Sequence, residues 1–587
     1  MRFECKAMLL ACCALLAPTT GWSQPAPRER HIPDARADVL YYNGRIITVA
    51  EQTPVAEALA IGGGRILAVG DSQSVGRYTG PRTRQINLQG KTMLPGLIDS
   101  HVHPIGAALA ERDGEIPVMR NFAELRAHVE KAVQSTPAGQ LVFVPKVYST
   151  RLDERRYPTR WEIDKFSGRH KVMLDNGYAA ALNSAALAAA GITRDTPQPA
   201  DGKIILDDKG EPTGLILGAR RLVSSLLEQR SFDDEDRLWA LREMQKAYNR
   251  AGLTSVIDRS QNAEGVRAYQ ELWQKGELTL RTNVTIRVDG EEPLEELTRE
   301  IRTLTPTTGF GDDFLRIGSL KIFLDGGILI GTAYMRAPYG EHTEVYGFHD
   351  PDYRGVLRVP PENIAAVAKL ANRLGWQMTA HTTGGASTDA LLDAYEAADR
   401  EQPIRDRRFT LTHANFPNHS VIDRAKKLGV VMDLQPAWYH YDGPALATVL
   451  GPEGMEFFHP YKSIFDAGVI VAGGSDHMIK FDDRLAINPY NPFFGMWMVI
   501  TRKTADGTVY NPEQKISREQ ALRMWTWNAA YLSFDEEVKG SIEPGKLADL
   551  VIIDRDYLTC PEDEIKDIQV LQTIVGGKVV YDSSSSQ

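Results

Sequence analysis

His101 and His103 stand one residue apart at the end of the apolar run "MLPGLIDSHVH". In an extended segment residues i and i+2 share a face, so two imidazoles at this spacing aim at one point. Four more polar groups recur in or just after apolar runs. They are Lys321 in "IGSLKIFLDGG", His381 in "QMTAHTTGG", His413 in "FTLTHANF" and Asp476 in "VIVAGGSDH". Alone, a histidine after a strand is more often a hydrogen-bonded core residue than a ligand. Asp476 alone would serve equally well as a helix N-cap. Taken together, four imidazoles, a carboxylate and an amine favour a metal centre. Such imidazole-rich donors suit zinc, although donor type does not exclude manganese, iron or cobalt.

Lys321 is flanked by Leu320 and Ile322 inside an apolar run. An unpaired ammonium there costs several kcal/mol or loses its proton. One reading is a buried ion pair with Asp325 or Asp476. The other is a neutral amine that adds CO₂ to become a carbamate, an anion with two oxygens able to bridge two cations.

The elements that must position these groups alternate apolar strands with amphipathic helices, which signals a parallel sheet. Candidate strands are residues 94–98, 254–258, 282–288, 316–324, 377–380, 409–412, 429–434 and 469–473. Eight parallel strands close a (β/α)₈ TIM barrel, whose active site lies at the strands' C-terminal ends. The barrel is assigned to residues 94–535. About 150 residues separate its first two strands, too many for one loop, so an inserted subdomain is expected over about 105–250. Short strands with Asn-Gly and Gly-Gly turns fill 38–93, and similar ones return in 536–582. Neither end has enough strands for a stable sheet alone, so the two are expected to form one small β-sandwich. "QPAWYHYDG" follows the seventh strand, and Gln435, Trp438, Tyr439 and His440 are expected to line the site. His477 would point away from Asp476. His31, His128, His170, His342, His349, His419 and His459 lack a strand-end context and are expected in loops or at the surface.

An apolar content of 43%, a charged content of 25% and a net charge of −10 fit a globular protein. Nucleic acid is not the partner this charge suggests. Residues 1–23 read as a cleavable signal peptide, with Arg2 and Lys6 before an apolar core and small residues near Ser23. The apolar core is too short for a stable membrane span. A periplasmic or secreted protein is expected, with lipidation at Cys12 the lesser alternative. Outside the leader only Cys560 remains, so no internal disulfide is available.

"LPGLIDSHVH", "LKIFLDGG", "TAHTTGG", "TLTHAN", "GGSDH" and "KGSIEPGKLADLVIID" together resemble the amidohydrolase superfamily. Within it they are similar to the branch containing N-substituted formamide deformylases. The resemblance spans about 38–580. It implies His101 and His103 as ligands of one divalent metal, His381 and His413 as ligands of a second, and N6-carboxylated Lys321 as the bridge. Asp476 would touch the first metal and serve as general base and acid. The implied activity is hydrolysis of a non-peptide, linear amide-type C–N bond in a small N-acyl or N-formyl compound by a metal-activated hydroxide. Deamination, carbamate or urea cleavage and lactone opening are the alternatives within the superfamily, and a non-catalytic exported binding protein is the alternative outside it. Relatives of this kind are often homodimers. Four positions depart from the family pattern. His381-Thr-Thr-Gly-Gly385 lacks a usual aspartate, Tyr178 replaces a common histidine, "KVYSTRLDE" replaces a Gly-Trp-Asp-like stretch, and Asn415 stands where glutamine is usual. All lie where substrate would be read, and Tyr178 is expected to touch it.

Overall fold

The computed structural model describes residues 36–112, 114–199, 202–227 and 232–586. The leader assigned to 1–23 and His31 lie outside these described residues. Eight parallel strands pair in chain order. They are β1 (Leu97–Val102), β2 (Leu253–Gln261), β3 (Arg281–Arg287), β4 (Leu315–Phe323), β5 (Met378–Thr382), β6 (Thr410–His413), β7 (Val431–Leu434) and β8 (Val471–Gly473). Just past β8, the Asp476 N–H donates to His101 O at 2.8 Å and the His103 N–H donates to His477 O at 2.9 Å. These bonds tie the last strand's continuation to the first, as a TIM barrel requires. Helices cover the outer face, so both faces of the strands are buried and their sequences read as nearly continuous apolar runs. One such helix is Pro361–Leu374, which turns Ile364, Val367, Leu370 and Ala371 into the core.

The run that opens the barrel divides differently from the sequence expectation. Residues 94–98 do not form one strand. Thr92–Pro95 pairs antiparallel with Leu550–Ile553 in a separate sheet, and β1 begins only at Leu97. Gly96 is the crossing point, where its N–H donates to Asp549 O at 2.7 Å. A Cβ added there would lie 2.2 Å from Thr254 Oγ1, so only glycine lets the chain pass between the two sheets. His101 consequently lies inside β1, and His103 follows its end. Gly96→Ala is expected to destabilise the fold by about 1–3 kcal/mol through overpacking, measured by denaturant unfolding. Adding Thr254→Ala should recover part of the loss, and an additive further loss would refute the steric cause.

Two further sheets flank the barrel. A four-stranded sheet runs Arg65–Gly70, Ala58–Gly62, Val39–Tyr42, Arg84–Asn87, and a six-stranded one runs from Lys578–Asp582 through Leu550–Ile553 and Thr92–Pro95 to Val55–Ala56. Tyr41, Leu59, Met93, Leu550 and Ile574 from both chain ends share one core between them. Between β1 and β2 a five-stranded sheet forms, with Leu141–Pro145 at one edge and Lys171–Asp175 beside it. The helix Asp234–Arg250, expected within the insertion, instead packs Leu238, Leu241, Met244 and Tyr248 into the barrel core. Its start is fixed by a capping box between Asp233 and Asp236. Among the described residues, no helix is long and apolar enough to cross a membrane.

Candidate active site

A cavity of about 840 Å³ opens at the C-terminal ends of the barrel strands, roofed by the five-stranded sheet. His103, Lys321, His381, His413, Asp476, Tyr178 and Trp438 all line it. His101 lies at its floor, fully buried. Asp476 Oδ1 stands 3.4 Å from His101 Nε2 and 3.2 Å from His103 Nε2. Lys321 Nζ lies 3.5 Å from His101 Nε2. The His413 ring stacks 4.9 Å from His101 and meets His381 edge-on at 4.5 Å. Six groups spread over hundreds of positions are thus brought to one place. His413 (φ 71°), Ala414 (φ 35°) and Asp476 (φ 54°) all adopt left-handed backbone, strain that clusters at functional sites.

Two residues that sequence reasoning placed elsewhere, or not at all, organise this group from beneath. Asp433 in β7 and Gln435 just past its end, in extended backbone, share one face two residues apart. Asp433 is fully buried and accepts from Ser100 Oγ at 2.6 Å, from His101 Nδ1 at 3.1 Å and from Gln435 Nε2 at 3.1 Å. The buried guanidinium of Arg259 stands 3.2 Å from Oδ2, the oxygen that also faces His101. Gln435 Oε1 accepts from His413 Nδ1 at 2.7 Å. Gln435 therefore does not line the cavity as expected, because the same-face rule turns it inward with Asp433. Both bonds set the Nδ1–H tautomer and leave the Nε2 lone pairs of His101 and His413 free. Asp99 adds a further tie, accepting from the His101 and Ser475 N–H groups at 2.9 and 3.0 Å.

The electrostatics follow from burial. Desolvation, reinforced by Lys321 and neighbouring imidazoles, holds His101, His381 and His413 well below the usual histidine range. Desolvation also brings Lys321 down to about 7, opposed by the charge of Asp476. The ion pair with Asp325 weighed for Lys321 does not form. Asp325 instead accepts from the N–H groups of Thr383, Gly384 and Tyr334 and from Ser387 Oγ, which shapes the loop after β5. Burial still pushes its carboxyl up to about 6.

Around this floor, Tyr178 reaches down from the roof with its hydroxyl 3.5 Å from His381 Nδ1. Trp438, at the start of the helix Pro436–Met455, stacks 4.6 Å from His413, and its buried Nε1–H has no hydrogen-bond partner among the described residues. Tyr439 and His440 turn away. The Tyr439 hydroxyl donates to Arg502 O, and His440 Nδ1 donates to Lys503 O at 2.7 Å. His477 is buried against Tyr248, whose hydroxyl is 2.9 Å from Nδ1.

His170 and His459 lie in loops between elements, as expected, but both are buried rather than at the surface. His459 meets Asn415 Oδ1 through Nε2 at 3.1 Å, and burial, then Arg502, holds it down to about 3. The unfolded value is about 6.5, so between the two the unfolded chain binds the extra proton. Its contribution is therefore complete above about pH 6.5 and is lost as pH falls, by up to about 1.4 kcal/mol per unit. His459→Asn, suited to its left-handed φ of 53°, is expected to flatten the fall in unfolding midpoint between pH 7 and 4.5. An unchanged slope would assign the acid loss to other groups.

His101, His103 and Asp476 offer ligand atoms within 4.8 Å of one another and could hold a metal ion. Two neutral imidazole nitrogens and a carboxylate oxygen are a donor set that fits a divalent cation such as zinc. The sequence profile of the amidohydrolase family matches residues 84–581. The chain belongs to the amidohydrolase family. This amidohydrolase is 30% identical to the N-substituted formamide deformylase of Arthrobacter pascens, over 94% of this chain and 99% of the relative. It is also 30% identical to the protein LONG AFTER FAR-RED 3 of Arabidopsis thaliana, over 93% and 92%. Among solved structures, a metal-dependent hydrolase of uncharacterized function from Pyrococcus horikoshii OT3 superposes with a TM-score of 0.66 at 22% identity, covering 89% of this chain and 99% of that one. An adenosine deaminase from Xanthomonas campestris with bound zinc superposes at 0.52 with 16% identity, covering 94% of each. These likenesses show the shared fold.

Proposed function

We propose that this amidohydrolase cleaves the C–N bond of a small N-formyl or short N-acyl compound, releasing a carboxylic acid and an amine. The observation that carries this reading is the convergence of Asp476, His101 and His103 with Lys321, His381 and His413 on one cavity floor. The formamide deformylase, similar over nearly its full length, supports the choice of amide. His101, His103 and Asp476 would hold one zinc-like ion, and His381, His413 and a carboxylated Lys321 would complete a second position. When bound, such ions polarise an acyl oxygen and lower the pKa of a water.

The chain's own residues supply the rest. Asp476 removes a proton from the attacking water and delivers it to the leaving nitrogen. Tyr178 and the free Trp438 Nε1–H offer donors to the substrate from the roof and wall. Phe323, Ile328 and Leu329 give the cavity an apolar side. The amine of Lys321, desolvated and close to neutral, can add CO₂ and release one proton to give the carbamate. Metal reconstitution in bicarbonate-free buffer should then give much less active enzyme than reconstitution with bicarbonate. Equal activity would remove the carbamate from the mechanism. The leader supports export to the periplasm or medium.

The deciding experiment incubates the metal-loaded full chain with N-substituted formamides, N-acylamines, ureas and lactones and assays the amine and acid released. Turnover of formamides or short N-acylamines that stops on chelation supports the proposal. Turnover confined to ureas or lactones, or release of ammonia alone, overturns it.

A further inference from the structure

Besides Lys321 the cavity is lined by Lys146, Arg220, Arg287 and Arg358, none of which has a role in the hydrolysis described above. Lys146 follows the edge strand Leu141–Pro145, which ends at the roof of the cavity beside Asp175. Its backbone takes a left-handed φ of 58°, a conformation that costs a non-glycine residue free energy, and the residue lines the cavity. The segment is not a loose loop. The Val147 N–H donates to Asp175 O at 3.0 Å, and Arg151 is anchored to buried Asp442 at 2.7 Å.

Among the described residues, the Lys146 ammonium reaches only the thioether of Met478 at 3.2 Å, two residues beyond Asp476. A thioether is a weak acceptor and does not neutralise charge. The two carboxylates whose fields reach Lys146 are Asp175 and Asp476, and each is engaged elsewhere. Asp175 is paired with Arg220 at 2.5 Å, and that guanidinium also donates to Gly177 O. Asp476 faces His101 and His103. A desolvated cation without a carboxylate of its own, set beside apolar Phe143, Leu329 and Met478 in the same cavity, is a ready anion subsite.

We infer that the substrate carries a carboxylate, which Lys146 binds from the roof while the amide lies over the floor formed by His103 and Asp476. This rests on the hydrolase reading and names the substrate class as an N-acyl amino-acid-like acid with an apolar side chain.

The test uses a matched pair, N-formylphenylalanine and N-formyl-2-phenylethylamine, which differ by one carboxylate. Binding is measured by calorimetry on the metal-loaded full chain carrying Asp476→Asn, so that turnover does not intervene. The acid should bind at least tenfold tighter than the neutral amide, and adding Lys146→Met should bring the ratio to about one, whereas Lys146→Arg keeps most of it. Equal binding of the pair, a preference that Lys146→Met leaves intact, an equal loss for both compounds, or no binding of the acid would each overturn the subsite. Tighter binding of the acid with no hydrolysis of either compound by the unsubstituted enzyme would leave the subsite standing and refute the hydrolase reading.

Discussion

Asp476→Asn is expected to lower kcat by about 10²–10⁴-fold, the range that a positioned acid–base group contributes, while metal content stays close to that of the unsubstituted chain. Asp476 Oδ1 is the atom that faces both His101 Nε2 and His103 Nε2, and an amide oxygen of the same shape can keep that place. An amide cannot accept the proton of the attacking water or return it to the leaving nitrogen. The backbone supports the substitution, because asparagine tolerates the left-handed φ of 54° as well as aspartate does. Metal analysis and single-turnover assays on the same preparation separate the two effects. Full activity in the variant would remove Asp476 from proton transfer, and loss of metal in proportion to activity would make it a ligand only.

Much of this site was legible in the sequence because strand ends announce themselves. Each of Lys321, His381, His413 and Asp476 belongs to or follows an apolar run that does become a barrel strand or its continuation. The runs are short and apolar throughout because helices cover them, which is why their period could not set their boundaries. The first run shows the cost. Leu94 and Leu97 look like one strand, yet Gly96 divides them between two sheets, and only the approach of Thr254 explains why. Asp433 was illegible for a different reason. A single acid inside "VVMDLQ" gives no signal of what it faces until His101, more than three hundred residues earlier, is placed against it. Gln435 sits in a motif after a strand, and such a motif does not say which side chains point inward. The same holds for His459, whose burial depends on Asn415 and Arg502 from distant segments. Nothing in "KVYSTRLDE" shows that Lys146 has no carboxylate partner among the described residues, because Asp175 and Asp476 come from distant segments.

Removal of Asp433 should be the most damaging single change outside the cavity lining and the six groups gathered at its floor. Its carboxylate meets Ser100, His101, Gln435 and Arg259 at once. Asp433→Ala would leave the Arg259 guanidinium buried without its counter-charge, and breaking a buried pair in this way costs about 3–5 kcal/mol. It would also free both imidazoles that β7 holds, His101 directly and His413 through Gln435. Loss of such a supporting bond typically weakens metal affinity about 10–100-fold. Stability and site organisation can be told apart with two milder variants. Asp433→Asn keeps the shape and hydrogen-bonding capacity but not the charge, and Gln435→Leu spares Arg259 while releasing His413. Chelator competition should show weakened metal binding in both, with unfolding midpoints reduced far more in Asp433→Ala than in Gln435→Leu. Metal affinity unchanged in Gln435→Leu would mean that the barrel alone orients His413, and the chain from Asp433 to the site would end at His101.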